Sequence, residues 1–239
     1  MGTQYDRNTK MKWNKKFIYP TSTKKLIEGK RHYEIKETTT SLPSVTTILS
    51  ATESADKKAA IAKWKERVGE KAAEEVKNKA ATRGTAMHSY LEYHIAGQGL
   101  LDLTEEGVEA KQMAQMIVDK GLPDLNEIWG SECVLYYPEL YAGQTDLCGV
   151  YMERESIIDF KQSNKPKKEE YIGDYYLQLV AYAMAHDSIY NTNIEQGVIL
   201  MCTPDLYFQK FVLNGARFRQ AKWEWLRRLD QYYKGKNNG

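Results

Sequence analysis

The chain has 239 residues, a formal net charge of +2, 42% apolar residues, 17 Tyr and 5 Trp. That length holds one sizeable domain, or one domain with a helical elaboration. No apolar run reaches the roughly 18 residues of a membrane helix, and the MGTQYD start carries neither a signal-peptide core nor a myristoylation site, so secretion and membrane insertion are not expected. Cys133, Cys148 and Cys202 are odd in number and far apart. They predict free thiols in a reducing, intracellular compartment and exclude a disulfide framework or a four-cysteine metal centre.

Charge is unevenly spread. Residues 1–36 hold ten Lys/Arg against three Asp/Glu, and residues 210–239 hold eight against two, which leaves −11 for the middle. Basic ends around an acidic centre suit a chain whose termini touch phosphate while its centre gathers carboxylates. On charge alone, simply solvated lysines explain the ends as well.

In chain order, a basic arm (1–36) precedes a mainly helical part (37–125) and a core of strands and helices (126–239), all read as a single domain. Residues about 31–49 look like strand, rich in β-branched residues. Ser54 to Gly97 reads as helix, broken near Gly69 and at Arg83-Gly84. Another helix runs from Thr104, a good N-cap, to Gly121, a good stop. Three strands follow over about 127–161, then an aromatic helix over 167–186. QGVILMC and LYFQKFVL make a strand pair joined at Thr203-Pro204-Asp205, and Asn214 caps a final basic helix. The order predicts an α/β, mixed α+β, architecture: a central mixed sheet flanked by helices, with an N-terminal helical region able to arch over a cleft.

The chemistry concentrates in AGQTDLCGVYMERESIIDFKQS. Asp159 and Lys161 are two apart on a strand and share a face. A hairpin turning at Glu153-Arg154 pairs residues whose numbers sum to 307, setting Asp146 opposite Lys161 and Cys148 opposite Asp159. Two carboxylates and an ammonium on one sheet surface are costly for stability alone and make sense around a divalent metal. Taken alone, the acid-x-lysine pattern is also common as an exposed, weak salt bridge.

GQTD followed by IIDFK resembles the core motif of the PD-(D/E)XK nuclease superfamily, in particular its RecB-like exonuclease branch. RGTAMHSYLE, Arg83 to Glu92, and QLVAY, Gln178 to Tyr182, are similar to that branch's Arg-Gly-Thr-x-x-His and Gln-x-x-x-Tyr helices. Chain size, the LPSVTTILSAT segment and the spacing of His88, Asp146 and Asp159 point within it to the mitochondrial genome-maintenance exonucleases and their phage relatives. The resemblance implies a DNA exonuclease of replication, recombination or repair using one or two Mg²⁺ or Mn²⁺ ions. His88, Asp146, Asp159 and the Phe160 carbonyl would be metal ligands, and Lys161 would position the nucleophile. Gln178 and Tyr182 would face the scissile phosphate and the DNA strand. Ser44, Thr46 and Thr47 would contact phosphate at a helix start, with Arg83 and Gln162 also on DNA. Gln162 stands where the family often has Thr.

Single-stranded DNA or flaps with a free end are the expected substrate, in a bacterial or phage setting, with a single-strand-binding or recombination protein as a further partner. The rivals are a duplex-processing 5′ exonuclease of phage recombination type and a non-catalytic DNA-binding module on the same fold. The structural reading is preferred for His32, His94 and His186, and packing for most of Tyr171, Tyr175 and Tyr176. Glu92 stays open between a supporting role and plain exposure.

Overall fold

The computed structural model describes residues 12–38 and 40–237. A small antiparallel sheet comes first, β1 (Ser22–Ile27), β2 (Lys30–Ile35) and β3 (Ser41–Pro43), with β2 in the middle. Four helices follow: α1 (Val45–Ala51), α2 (Ala55–Val68), α3 (Glu70–Ile95) and α4 (Glu105–Lys120). The main sheet then begins with β4 (Leu125–Tyr137), β5 (Tyr141–Tyr151) and β6 (Arg154–Gln162). After α5 (Gly173–Tyr190) come β7 (Gln196–Cys202), β8 (Phe208–Asn214) and α6 (Gly215–Asn237). The five long strands lie in sequence order and are antiparallel except for the β6–β7 pair, so the sheet is mixed, as expected.

Two apolar layers sandwich this sheet. On one side α3 and α4 bring Met87, Leu91, Met113 and Ile117 against Leu147, Ile158, Phe160 and Leu200. On the other, α1, α5 and α6 pack Ile48, Leu179, Val180 and Trp225 against Cys148, Ile157 and Ile199. The inner strand β7, between β6 and β8, is buried throughout, which is why its sequence reads as an uninterrupted apolar run rather than an alternation. No helix among the described residues is long and apolar enough to cross a membrane.

Several elements depart from the sequence expectation. VTTILSA is not strand but helix α1, because the Ser44 hydroxyl caps it by accepting from the Thr47 N–H at 3.0 Å. The break at Gly69 is real, with φ of 85°, whereas α3 runs unbroken through Arg83-Gly84. Gly84 serves close packing instead: a Cβ there would meet Gln162 Cγ at 3.3 Å. The stretch expected as a basic arm is integrated from Trp13 onward. The Asn14 N–H donates to the Ile128 carbonyl at 2.8 Å, and Phe17 and Tyr19 join an aromatic cluster with Trp129, His186 and Tyr190. Residues 1–11 lie outside the described residues.

Helix α2 has no buried residue, and Ala73 alone is buried over residues 70–82 of α3. The two helices therefore form a hairpin that stands off the core.

Candidate active site

The β5–β6 hairpin turns one residue earlier than the sequence suggests, through Met152 and Glu153, both at positive φ (49° and 62°). This is the backbone of a two-residue hairpin loop that ordinarily carries Asn-Gly. Facing residues accordingly sum to 305, as in Leu147↔Ile158, and not to 307. Cys148 faces Ile157 rather than Asp159, and Asp146 does not pair with Lys161. An offset of two leaves the parity of facing positions intact, so the acids still converge.

Pairing between β5 and β6 stops at Leu147↔Ile158. Beyond it β5 stays with β4 and β6 with β7, which opens a fork. Asp146 fills the fork: its Oδ2 accepts the Phe160 N–H at 2.6 Å, in place of the missing ladder bond. Because a strand residue's N–H and C=O point to the same side, the Phe160 carbonyl also faces this fork. Asp159 forms an ion pair with Lys161, whose ammonium sits 5.3 Å from the Tyr175 ring centroid on α5. From α3, His88 brings Nδ1 to 3.2 Å from Asp146 Oδ1.

The structure adds a residue that the sequence did not disclose. Glu132 on β4 sits between the register pairs Ser131↔Leu147 and Cys133↔Thr145, level with Asp146. Ligand atoms of His88, Glu132 and Asp146 lie within 4.8 Å of one another. A lone glutamate in a strand has no spacing signature. Its one sequence-level signal is a charged residue inside the otherwise apolar, β-rich EIWGSECVLYY.

Burial opposes every charge in this cluster. It prevails at Asp159, whose pKa is pushed up to about 6, Lys161 resisting and Asp146 adding repulsion. It prevails at Glu132 as well, raised to about 7, with Asp146 contributing. Asp146 is buried too, yet His88, Lys161 and the Phe160 N–H hold it below the ordinary carboxylate range. At His88 and Lys161 burial is outweighed by the neighbouring acids, and both pKa values are raised. Three carboxylates thus share a pocket with one ammonium and one imidazole. Hard oxygen donors in excess of fixed cations, with one nitrogen, fit a small divalent ion such as Mg²⁺ or Mn²⁺.

The remaining expected residues are placed as follows. Gln178 Nε2 donates to the Tyr182 hydroxyl at 3.1 Å on α5. Tyr182 is buried and lies so close to Gly143 that a Cβ there would come within 2.5 Å of its ring. Ser44 and Thr47 are buried, their hydroxyls bonded to each other and Thr47's to the Arg31 carbonyl, while Thr46 is exposed. Arg83 is buried and internally engaged. It donates to Gln162 Oε1 at 2.9 and 3.1 Å, to Glu109 at 3.2 Å and to Asn164. Gln162 in turn donates to the Ala80 carbonyl at 3.0 Å. These two residues bind each other rather than presenting free donors to solvent. His186 lies in the aromatic cluster, bonded to Tyr19 and Thr192, and His32 makes a local contact with the Lys30 carbonyl at 3.0 Å. All three cysteines are free and buried.

Two aspartates and a lysine converge where neighbouring strands of a mixed sheet part, the arrangement that the resemblance to PD-(D/E)XK nucleases implies, and the chain is similar to proteins named as exonucleases. It is 28% identical over 206 residues to human mitochondrial genome maintenance exonuclease 1, covering 82% of this chain and 60% of that protein. The mouse protein of the same name is 28% identical over 209 residues, 83% of this chain and 61% of the relative. The chain thus spans about 60% of the length of these curated relatives. A proposed exonuclease from Eubacterium rectale, known from its crystal structure, shares the fold at a TM-score of 0.50 and 12% identity, over 67% of this chain and 68% of that one. No protein-family model matches the sequence.

Proposed function

We propose that the chain is a Mg²⁺- or Mn²⁺-dependent DNA exonuclease that hydrolyses phosphodiester bonds from a free end and prefers single strands or flaps. The observation that carries this reading is the convergence of His88, Asp146, Asp159 and Lys161 in the β5–β6 fork, in a chain related to exonucleases. Asp146, Asp159 and the Phe160 carbonyl would hold the cation, with His88 beside them. When bound, the ion would acidify a water and stabilise charge on the leaving oxygen.

The side chains supply the rest. Lys161, held against Asp159 and over Tyr175, keeps its proton and orients the attacking water through its ammonium. The Phe160 N–H bond fixes the Asp146 carboxylate in a single orientation, so the acceptor geometry exists before substrate arrives. Gln178, tethered to Tyr182, offers its amide toward the strand being cut. The α2–α3 hairpin, exposed and rich in lysine, would restrict the approach to a flexible strand led in by its end.

The test is a linear single-stranded oligonucleotide against a closed circle of the same sequence, with and without Mg²⁺ or Mn²⁺. The linear form should be degraded only with metal, and the circle should survive. Rapid cutting of the circle would overturn the requirement for an end. Processive loss of a blunt duplex would favour the duplex-processing reading. Metal-independent cleavage would overturn the site assignment.

A further inference from the structure

We propose that Glu132 is a direct ligand of the divalent cation, on the side of Asp146 that faces His88. The inference rests on the metal-nuclease reading above and goes beyond the His88–Asp146–Asp159 set named there.

Position is the first argument. The β4–β5 register sets Glu132 level with Asp146, and continuing the β5–β6 register sets Asp146 level with Asp159. Strands β4 and β5 thus bring one carboxylate each beside His88, with Asp159 on β6 across the fork from Asp146. Glu132 takes φ of 53°, a left-handed backbone inside a paired strand. Bulged or left-handed residues in strands re-aim side chains, often beside active sites. Here the result is a carboxylate carried into the space next to His88 and Asp146.

Distance is the second. The donor atoms of His88, Glu132 and Asp146 all lie within 4.8 Å of one another. An ion with bonds of about 2.1 Å spans opposite donors about 4.2 Å apart. Adjacent donors of such an ion lie about 3.0 Å apart, the spacing that His88 Nδ1 and Asp146 Oδ1 already approach at 3.2 Å, and a Glu132 oxygen stands within 4.8 Å of a donor atom of each. One imidazole nitrogen and two carboxylate oxygens suit Mn²⁺ at least as well as Mg²⁺.

The third argument is what Glu132 lacks. Its Oε2 accepts from Gln144 Nε2 at 2.7 Å, which orients the group and leaves the other oxygen uncommitted. Among the described residues Glu132 makes no ion pair, although it is half-buried beside Asp146. A carboxylate retained only for structure would have a cation partner, or would be better replaced by the neutral amide of glutamine.

Glu132→Gln supplies the experiment, because it keeps shape and the link to Gln144 while removing charge. Mn²⁺ is titrated calorimetrically into the full chain without DNA, and thermal unfolding is followed with EDTA and with Mn²⁺. In the variant, the Mn²⁺ dissociation constant should rise tenfold or more, and the Mn²⁺-induced gain in Tm should shrink. With EDTA, Tm should equal or exceed that of the unmodified chain, since like-charge crowding is relieved. Glu70→Gln, exposed in the first turn of α3, should leave Mn²⁺ affinity within twofold. Unchanged Mn²⁺ affinity in Glu132→Gln would overturn the proposal, and so would a lower Tm in EDTA with the Mn²⁺ gain intact, which would mark a purely structural glutamate. If the unmodified chain binds no Mn²⁺ at all, the metal-nuclease reading itself fails, a different result from either.

Discussion

Asp146 accepts the backbone N–H of Phe160 at 2.6 Å, so the carboxylate proposed to hold the cation also closes the sheet where β5 and β6 part. The two duties can be separated by substitution. Asp146→Asn keeps an acceptor oxygen and should abolish cleavage with little change in stability. Asp146→Ala strands a buried N–H and should lose about 1–3 kcal/mol in urea unfolding as well. Asp159→Ala should also abolish cleavage, and Lys161→Ala should slow it by about 10² or more. Near-normal metal-dependent rates in either aspartate variant would sink the assignment.

Arg83 and Gln162 join helix α3 to the end of β6, just past Lys161. Arg83→Ala should cost roughly 2–3 kcal/mol, because it breaks several hydrogen bonds of a buried guanidinium, one of them to Glu109. Arg83→Lys should restore little, since an ammonium cannot reproduce the fork of donors. kcat should fall more than KM rises. The salt dependence of DNA binding separates this role from a phosphate contact: its slope should stay the same, whereas loss of a phosphate contact lowers it by about one.

His186 predicts a pH dependence of stability unrelated to catalysis. Burial, helped by Lys16, lowers its pKa to about 4 in the folded chain. The unfolded imidazole protonates near its ordinary value of about 6.5. Between these values the unfolded state binds more protons, so stability is fully present above about pH 6.5 and falls as pH drops toward 4. The loss should approach roughly 3 kcal/mol. His186→Gln should flatten the fall in Tm over that window, and a wild-type imidazole titrating near 6.5 by NMR would refute the argument.

The α2–α3 hairpin should be the first part of the chain to yield to protease. With no buried residue on α2, little packing resists its local opening. Limited trypsin digestion should cut first between Lys57 and Lys71 and leave the five-stranded core whole. Single-stranded DNA added with EDTA should slow those cuts. Early cleavage in β4–β6 would contradict the expected hierarchy.

Much of this architecture is legible in the sequence where punctuation and periodicity agree. Thr104 and Gly121 bracket α4, and the β-rich runs mark β4 to β8. The misreadings have particular causes. VTTIL looks like strand until the Ser44 cap is seen to start a helix. Gly84 looks like a break, yet its missing Cβ serves a contact with a residue far along the chain. The hairpin register shifts by two because Met152 and Glu153 adopt a backbone that neither residue type advertises. The convergence of Asp146, Asp159, Lys161 and His88 is legible because motif spacing survives in the linear order. That of Glu132 is not, since its place beside Asp146 and His88 depends on strand register alone.

The hairpin that stands off the core also bears on how such a chain can change over generations. Because α2 buries nothing, its length, charge and surface can drift under selection for one substrate or another at almost no cost to folding. The fork between β5 and β6 has no such freedom, since Asp146 bonds the sheet backbone there and, in the proposed function, would hold the cation as well. Lineages sharing this scaffold can therefore diverge in what they admit while keeping what they do to it.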